Sequence, residues 1–134
     1  MYAVLALLGG VFYREFTKGL SYVDKTTLSV VHVHYLVLGT VFFLLLLLLQ
    51  KSFFFEDKKT NVAIFLYHVG LNLTCAMFWV RGILQVTLTP LSDGLDGMVS
   101  GFAGIGHVIL GVSLLLLLVF IYLNVFKKKK QEKE

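Results

Sequence analysis

Residues 28–49 read Leu28-Ser29-Val30-Val31-His32-Val33-His34-Tyr35-Leu36-Val37-Leu38-Gly39-Thr40-Val41-Phe42-Phe43-Leu44-Leu45-Leu46-Leu47-Leu48-Leu49, with no lysine, arginine or carboxylate among them. As a helix this run rises about 33 Å, enough to cross a hydrocarbon core about 30 Å thick. The rest of the chain fits the same reading. Of its 134 residues 57% are hydrophobic and 15% charged, whereas soluble domains carry about a quarter charged residues. Four spans of roughly 20 residues would use about 80, close to the whole apolar content. A water-soluble domain, a disordered chain and a disulfide-built module are thereby excluded, and the single cysteine, Cys75, leaves no internal disulfide to form.

The fold expected is all-α, an integral membrane four-helix bundle, with spans at about 2–18, 28–50, 61–87 and 98–126 and a basic tail at 127–134. The first stretch is apolar only to Tyr13 before Arg14-Glu15. It lacks a preceding basic residue and a small-residue cleavage site, so it reads as a helix running on to Lys18 rather than a signal peptide, with Arg14 and Glu15 partly buried. Pro90 and the stretch Ser92-Asp93-Gly94-Leu95-Asp96-Gly97 read as a loop.

Lysine and arginine set the orientation. Lys51, Lys58 and Lys59 between spans two and three, and Lys127, Lys128, Lys129, Lys130 and Lys133 in the tail, fall on one side. The other side has Lys18 and Lys25, with Arg14 and Arg81 near its edge. Both termini are therefore expected in the cytoplasm. The lysine run reads as an orientation signal resting on anionic headgroups rather than a nucleic-acid contact.

Ionisable residues inside spans are costly and mark functional sites. If Asp24 and Asp96 mark outer ends, His32, His34 and His107 lie at depths of about 12, 15 and 16 Å, with Arg81 and Arg14 nearer the surface. Gly104, His107 and Gly111 share one helix face, as do His32 and Gly39, and glycine leaves room beside a histidine for a bulky flat cofactor. Close helix packing explains the glycines equally well. Three chemistries remain open. One is a heme b with two axial histidines and arginines at its propionates. Another is copper or a similar metal on His32, His34, His107 and Met98, although residues two apart on a helix point about 200° from each other. The last is a set of interhelical hydrogen bonds in a structural or accessory subunit. A second stripe, His68, Asn72, Cys75, Trp79 and Gly82, is expected to face inward, with His68 bonded to a backbone carbonyl; Thr74, Arg81 and Gln85 form a further polar line.

Four stretches, Gly10-Val11-Phe12-Tyr13-Arg14-Glu15-Phe16, residues 28–39, Val80-Arg81-Gly82-Ile83-Leu84-Gln85 and residues 101–107, resemble a bacterial group of small membrane proteins known as domain of unknown function 2871. The resemblance covers nearly all of the chain except the tail and implies no activity. More distantly, the arrangement Leu28, His32, His34, Gly39 is similar to the second helix of heme-copper oxidase and nitric-oxide reductase catalytic subunits. That similarity implies an axial heme ligand at His32, although depth favours His34, with His107 opposite and Arg14 and Arg81 at the propionates. With four spans and no further histidine cluster, it implies a heme-binding fragment rather than an oxidase. The expected role is electron transfer or heme or gas sensing, beside a respiratory membrane complex or as a homo-oligomer. Two histidine ligands would close both axial positions of the iron, which argues against an enzyme.

Overall fold

A computed structural model describes residues 1–53 and 57–131; Lys133 of the basic tail lies outside the described residues. The chain is all-helical. Helix α1 covers Tyr2–Gly19, α2 covers Leu28–Phe53, α3 covers Lys58–Val86 and α4 covers Asp93–Gln131. The last three are long and apolar enough to cross a membrane. Helix α1 has 18 residues and carries Arg14, Glu15 and Lys18 in its second half.

The leucine run shows which solvent the bundle is built for. Within residues 44–49, Leu46 alone is buried, and its neighbours turn outward. A helix apolar on every side that buries one side against protein is matched to lipid on the others.

Helix α2 is not uniform. Between α-helical ends, Tyr35–Val41 forms a π-helix. Three contacts favour the wider turn. Thr40 Oγ1 donates to the Tyr35 carbonyl (3.3 Å), Tyr67 from α3 donates its hydroxyl to the Leu38 carbonyl (2.8 Å), and Gly39 lets the Tyr2 ring of α1 approach closely. A Cβ at Gly39 would lie 2.7 Å from that side chain.

Helix α3 is the hub. At its start Asp57 caps the helix, accepting from the Thr60 N–H (2.7 Å), and its second oxygen accepts from Asn124 of α4 (3.2 Å). Along its length α3 lies directly on α4: a Cβ at Gly70 would come within 2.5 Å of the Leu110 nitrogen, and one at Gly106 within 2.9 Å of the Thr74 nitrogen. At its far end the segment leading into α2 is tied down by side chains. Thr26 and Thr27 donate their hydroxyls to the Gly82 and Phe78 carbonyls (3.1 and 2.9 Å), and Gln85 Oε1 accepts from the Thr27 N–H (2.9 Å).

Two expectations need correction. Asp93–Gly97 belong to α4 rather than to a loop. The Ser92 carbonyl accepts from the Asp96 N–H (3.0 Å), and Asp93 and Asp96 place negative charge on the positive end of the helix dipole, offsetting the poor helix propensity of Gly94 and Gly97. Arg14 and Glu15 are not partly buried. Their side chains are 78% and 60% exposed and pair with each other at 3.6 Å. They lie near the end of α1, where their charges keep contact with polar surroundings.

Candidate functional site

The four histidines, all on the three long apolar helices, separate into three environments. His34 on α2 and His107 on α4 both touch Phe78 on α3. Their rings meet Phe78 edge-on at centroid distances of 4.9 and 5.4 Å. Each histidine has Nδ1 2.8 Å from the carbonyl four residues before it, Val30 for His34 and Ala103 for His107. A carbonyl only accepts, so the proton sits on Nδ1 and Nε2 carries the free lone pair. Two lone pairs of the same tautomer thus border one aromatic ring.

Arg81 lies one turn along α3 from Phe78. Its guanidinium donates to Asp96 Oδ1 (3.1 Å) and Ser100 Oγ (2.7 Å) on α4, with its side chain 32% exposed. It opens onto a 530 Å³ cavity lined also by Gln85, Asp93 and Gly97. Gly104 and Gly111, one turn either side of His107, have nothing within 4 Å of where a Cβ would stand. Together with the exposed His107 and Met98 they lie on the outer surface of α4.

His32 turns the other way. It borders a 340 Å³ groove between α1 and α2, with Ala6, Gly10, Arg14 and Leu36. Its Nδ1 is buried without a hydrogen-bond partner. Gly39, one π-helical segment further along, also faces α1, but the Tyr2 ring fills the space beside it. The eight residues singled out in the sequence therefore fall into two groups. His34, His107, Arg81, Gly104 and Gly111 gather around α3 and α4, and His32, Arg14 and Gly39 line α1.

His68 forms the third environment, and here the expected carbonyl contact is replaced by a phenol. Tyr2 Oη lies 2.6 Å from His68 Nδ1, and Asn72 Nδ2 donates both to Tyr2 Oη (2.9 Å) and to the His68 carbonyl (2.8 Å). With Nε2 protonated, the Tyr2 hydroxyl donates to His68 Nδ1 while its oxygen accepts from Asn72. The His68 ring also stacks on Phe43 at 4.4 Å and 5°. Tyr35 donates to Asn72 Oδ1 at 3.5 Å, and Cys75 is buried one turn away. The stripe of His68, Asn72 and Cys75 was visible in the sequence. Its partners Tyr2 and Tyr35 come from helices with no polar periodicity of their own, so no local signal marked them.

Among the described residues no three His, Cys, Asp or Glu side chains are grouped to hold a metal ion. His34 and His107 each touch Phe78, and His107 is exposed on the outer surface of α4.

Compared with known families, residues 1–124 match the family model described as protein of unknown function (DUF2871). The chain belongs to this family. The DUF2871 match reaches into all four helices, includes every histidine, and ends at Asn124, the residue that reaches Asp57. No curated protein and no solved structure matches the chain.

Proposed function

We propose that this protein is a four-span membrane protein of the bacterial cytoplasmic membrane that binds one b-type heme, with His34 and His107 as the axial ligands through Nε2. The observation that carries the reading is the matched pair of imidazoles around Phe78. Each is held through Nδ1–H by a carbonyl, the orientation that fixes the tautomer of a metal-ligating histidine. Supporting it is the similarity of Leu28, His32, His34 and Gly39 to a heme-bearing helix. Arg81 is the cation at the right end of α3 for a propionate, in competition with Asp96. Phe78 touches both imidazoles and would have to move aside for a group bound to the two of them. When bound, a heme supplies one-electron redox chemistry, which suits electron transfer or heme or gas sensing. The role is exercised beside a respiratory membrane complex or within a homo-oligomer.

A second reading rests on His32. Its partnerless buried Nδ1 and the nearby Arg14 make the α1–α2 groove the alternative ligand and propionate pair. A copper centre would need His32, His34, His107 and Met98 to converge, and the first two diverge around α2.

The test is a visible spectrum of detergent-purified protein made with ample heme, oxidised and then reduced with dithionite. Sharp reduced bands are expected, lost in His34→Ala and in His107→Ala and kept in His32→Ala, while Phe78→Ala takes up added hemin more readily. Bands lost in His32→Ala and kept in His34→Ala would move the site to the α1 groove. A colourless, folded protein that fails to take up hemin would overturn the heme reading altogether.

A further inference from the structure

At the lysine-bearing end of the bundle, α3 and α4 part to leave a groove of 460 Å³ lined by Lys58, Lys59, Val62, Leu66, Leu116 and Phe120, with Ala63 at its floor. Val62 and Leu66 follow Lys58 at successive four-residue steps, and Leu116 and Phe120 are four apart on the opposite wall. The apolar trough therefore extends about 12 Å along the bundle from the first lysine. That is most of one leaflet of a hydrocarbon core about 30 Å thick. Both lysines are exposed at its mouth. Nearby, Asp57 has one carboxylate oxygen engaged by the Thr60 N–H and the other by Asn124, so its charge is already committed to the helix cap.

We propose that this groove is a binding site for an anionic phospholipid, with the phosphate on Lys58 and Lys59 and an acyl chain laid along Val62, Leu66, Leu116 and Phe120. A purely apolar trough would take any lipid tail. Two adjacent ammonium groups at its polar end select the headgroup charge, since each lysine near an anionic lipid favours it by roughly fivefold. The site is separate from the histidines and does not depend on the heme reading.

The experiment is native mass spectrometry of the full chain in detergent with added phosphatidylglycerol or phosphatidylcholine of identical acyl chains. One phosphatidylglycerol is expected to be retained about tenfold better than phosphatidylcholine. The preference should fall to near parity in Lys58→Gln/Lys59→Gln with the tail lysines untouched. Val62→Trp, which fills the trough from an exposed position, should lower retention of both lipids. Equal retention of the two lipids by the unaltered protein would overturn the proposal. So would a preference that survives the double lysine change, or retention indifferent to Val62→Trp.

Discussion

Asp57 shows how much one short side chain can hold. It closes the first turn of α3 through the Thr60 N–H and reaches α4 through Asn124, so two helices are fastened at one carboxylate. The Thr60 N–H first, and then the Asn124 amide, hold its carboxyl below the ordinary carboxylate range. A group whose folded value is depressed adds stability that is fully present above its unfolded value, near pH 4, and is lost as the pH falls through the lower folded value. Asp57→Ala is expected to cost about 1 kcal/mol, the usual worth of an N-cap. It should also flatten the acid side of the stability profile, read by thermal unfolding in detergent between pH 3 and 7. An unchanged acid limb would assign the cap no electrostatic role. At this scale the sequence was legible where a residue's role depends on its own helix. The stripe of His68, Asn72 and Cys75 follows from a spacing of four and three. The phenol that meets it, Tyr2, lies 66 positions away, and only packing brings it there.

Among the elements, glycine separates what spacing suggests from what contact requires. Gly104 and Gly111 flank His107 on one face, and both stand in the open. Gly70 and Gly106, which no spacing to a histidine distinguishes, are the positions where α3 and α4 touch backbone to backbone. Gly70→Val and Gly106→Val should therefore force the helices apart and lower the midpoint of thermal unfolding by several degrees or prevent folding, consistent with overpacking costs of about 1–3 kcal/mol. Gly104→Ala and Gly111→Ala should leave that midpoint within about a degree or raise it, because alanine favours the helix where nothing obstructs it. The reverse ranking would mean that α4 packs through its other face. The π-helical stretch of α2 likewise has no local sequence signal. Tyr35–Val41 is ordinary in composition, and what stabilises its wider turn is the hydroxyl of Tyr67 on another helix. The early start of α4 could have been read locally, from Ser92 and the acidic residues behind it, but Gly94 and Gly97 outweighed them as loop signals.

For the whole molecule, the distribution of lysines carries an orientation. With Lys51, Lys58, Lys59 and the basic tail at one end, that end is expected to face the cytoplasm. In a Cys75→Ser background, single cysteines in 20–25 or 87–92 should react with an impermeant thiol reagent on intact cells. Cysteines at 56 or 132 should react only after lysis. Labelling in the opposite sense would invert the topology and with it the leaflet of the phospholipid groove. What the sequence determined by itself was helical class, the approximate extent of the helices and their match to a bilayer. These follow from apolar content summed along a chain whose backbone must satisfy its own hydrogen bonds in lipid. The grouping of the polar residues came from tertiary packing: His34 and His107 both on Phe78, His32 with Arg14 against α1, and His68 with Tyr2. Helices that are apolar on nearly every side carry too little amphipathic moment to set their own rotation. Rotation is chosen by close contacts such as Gly70 on Leu110 and Gly82 on Leu28, and those contacts decide which histidines meet.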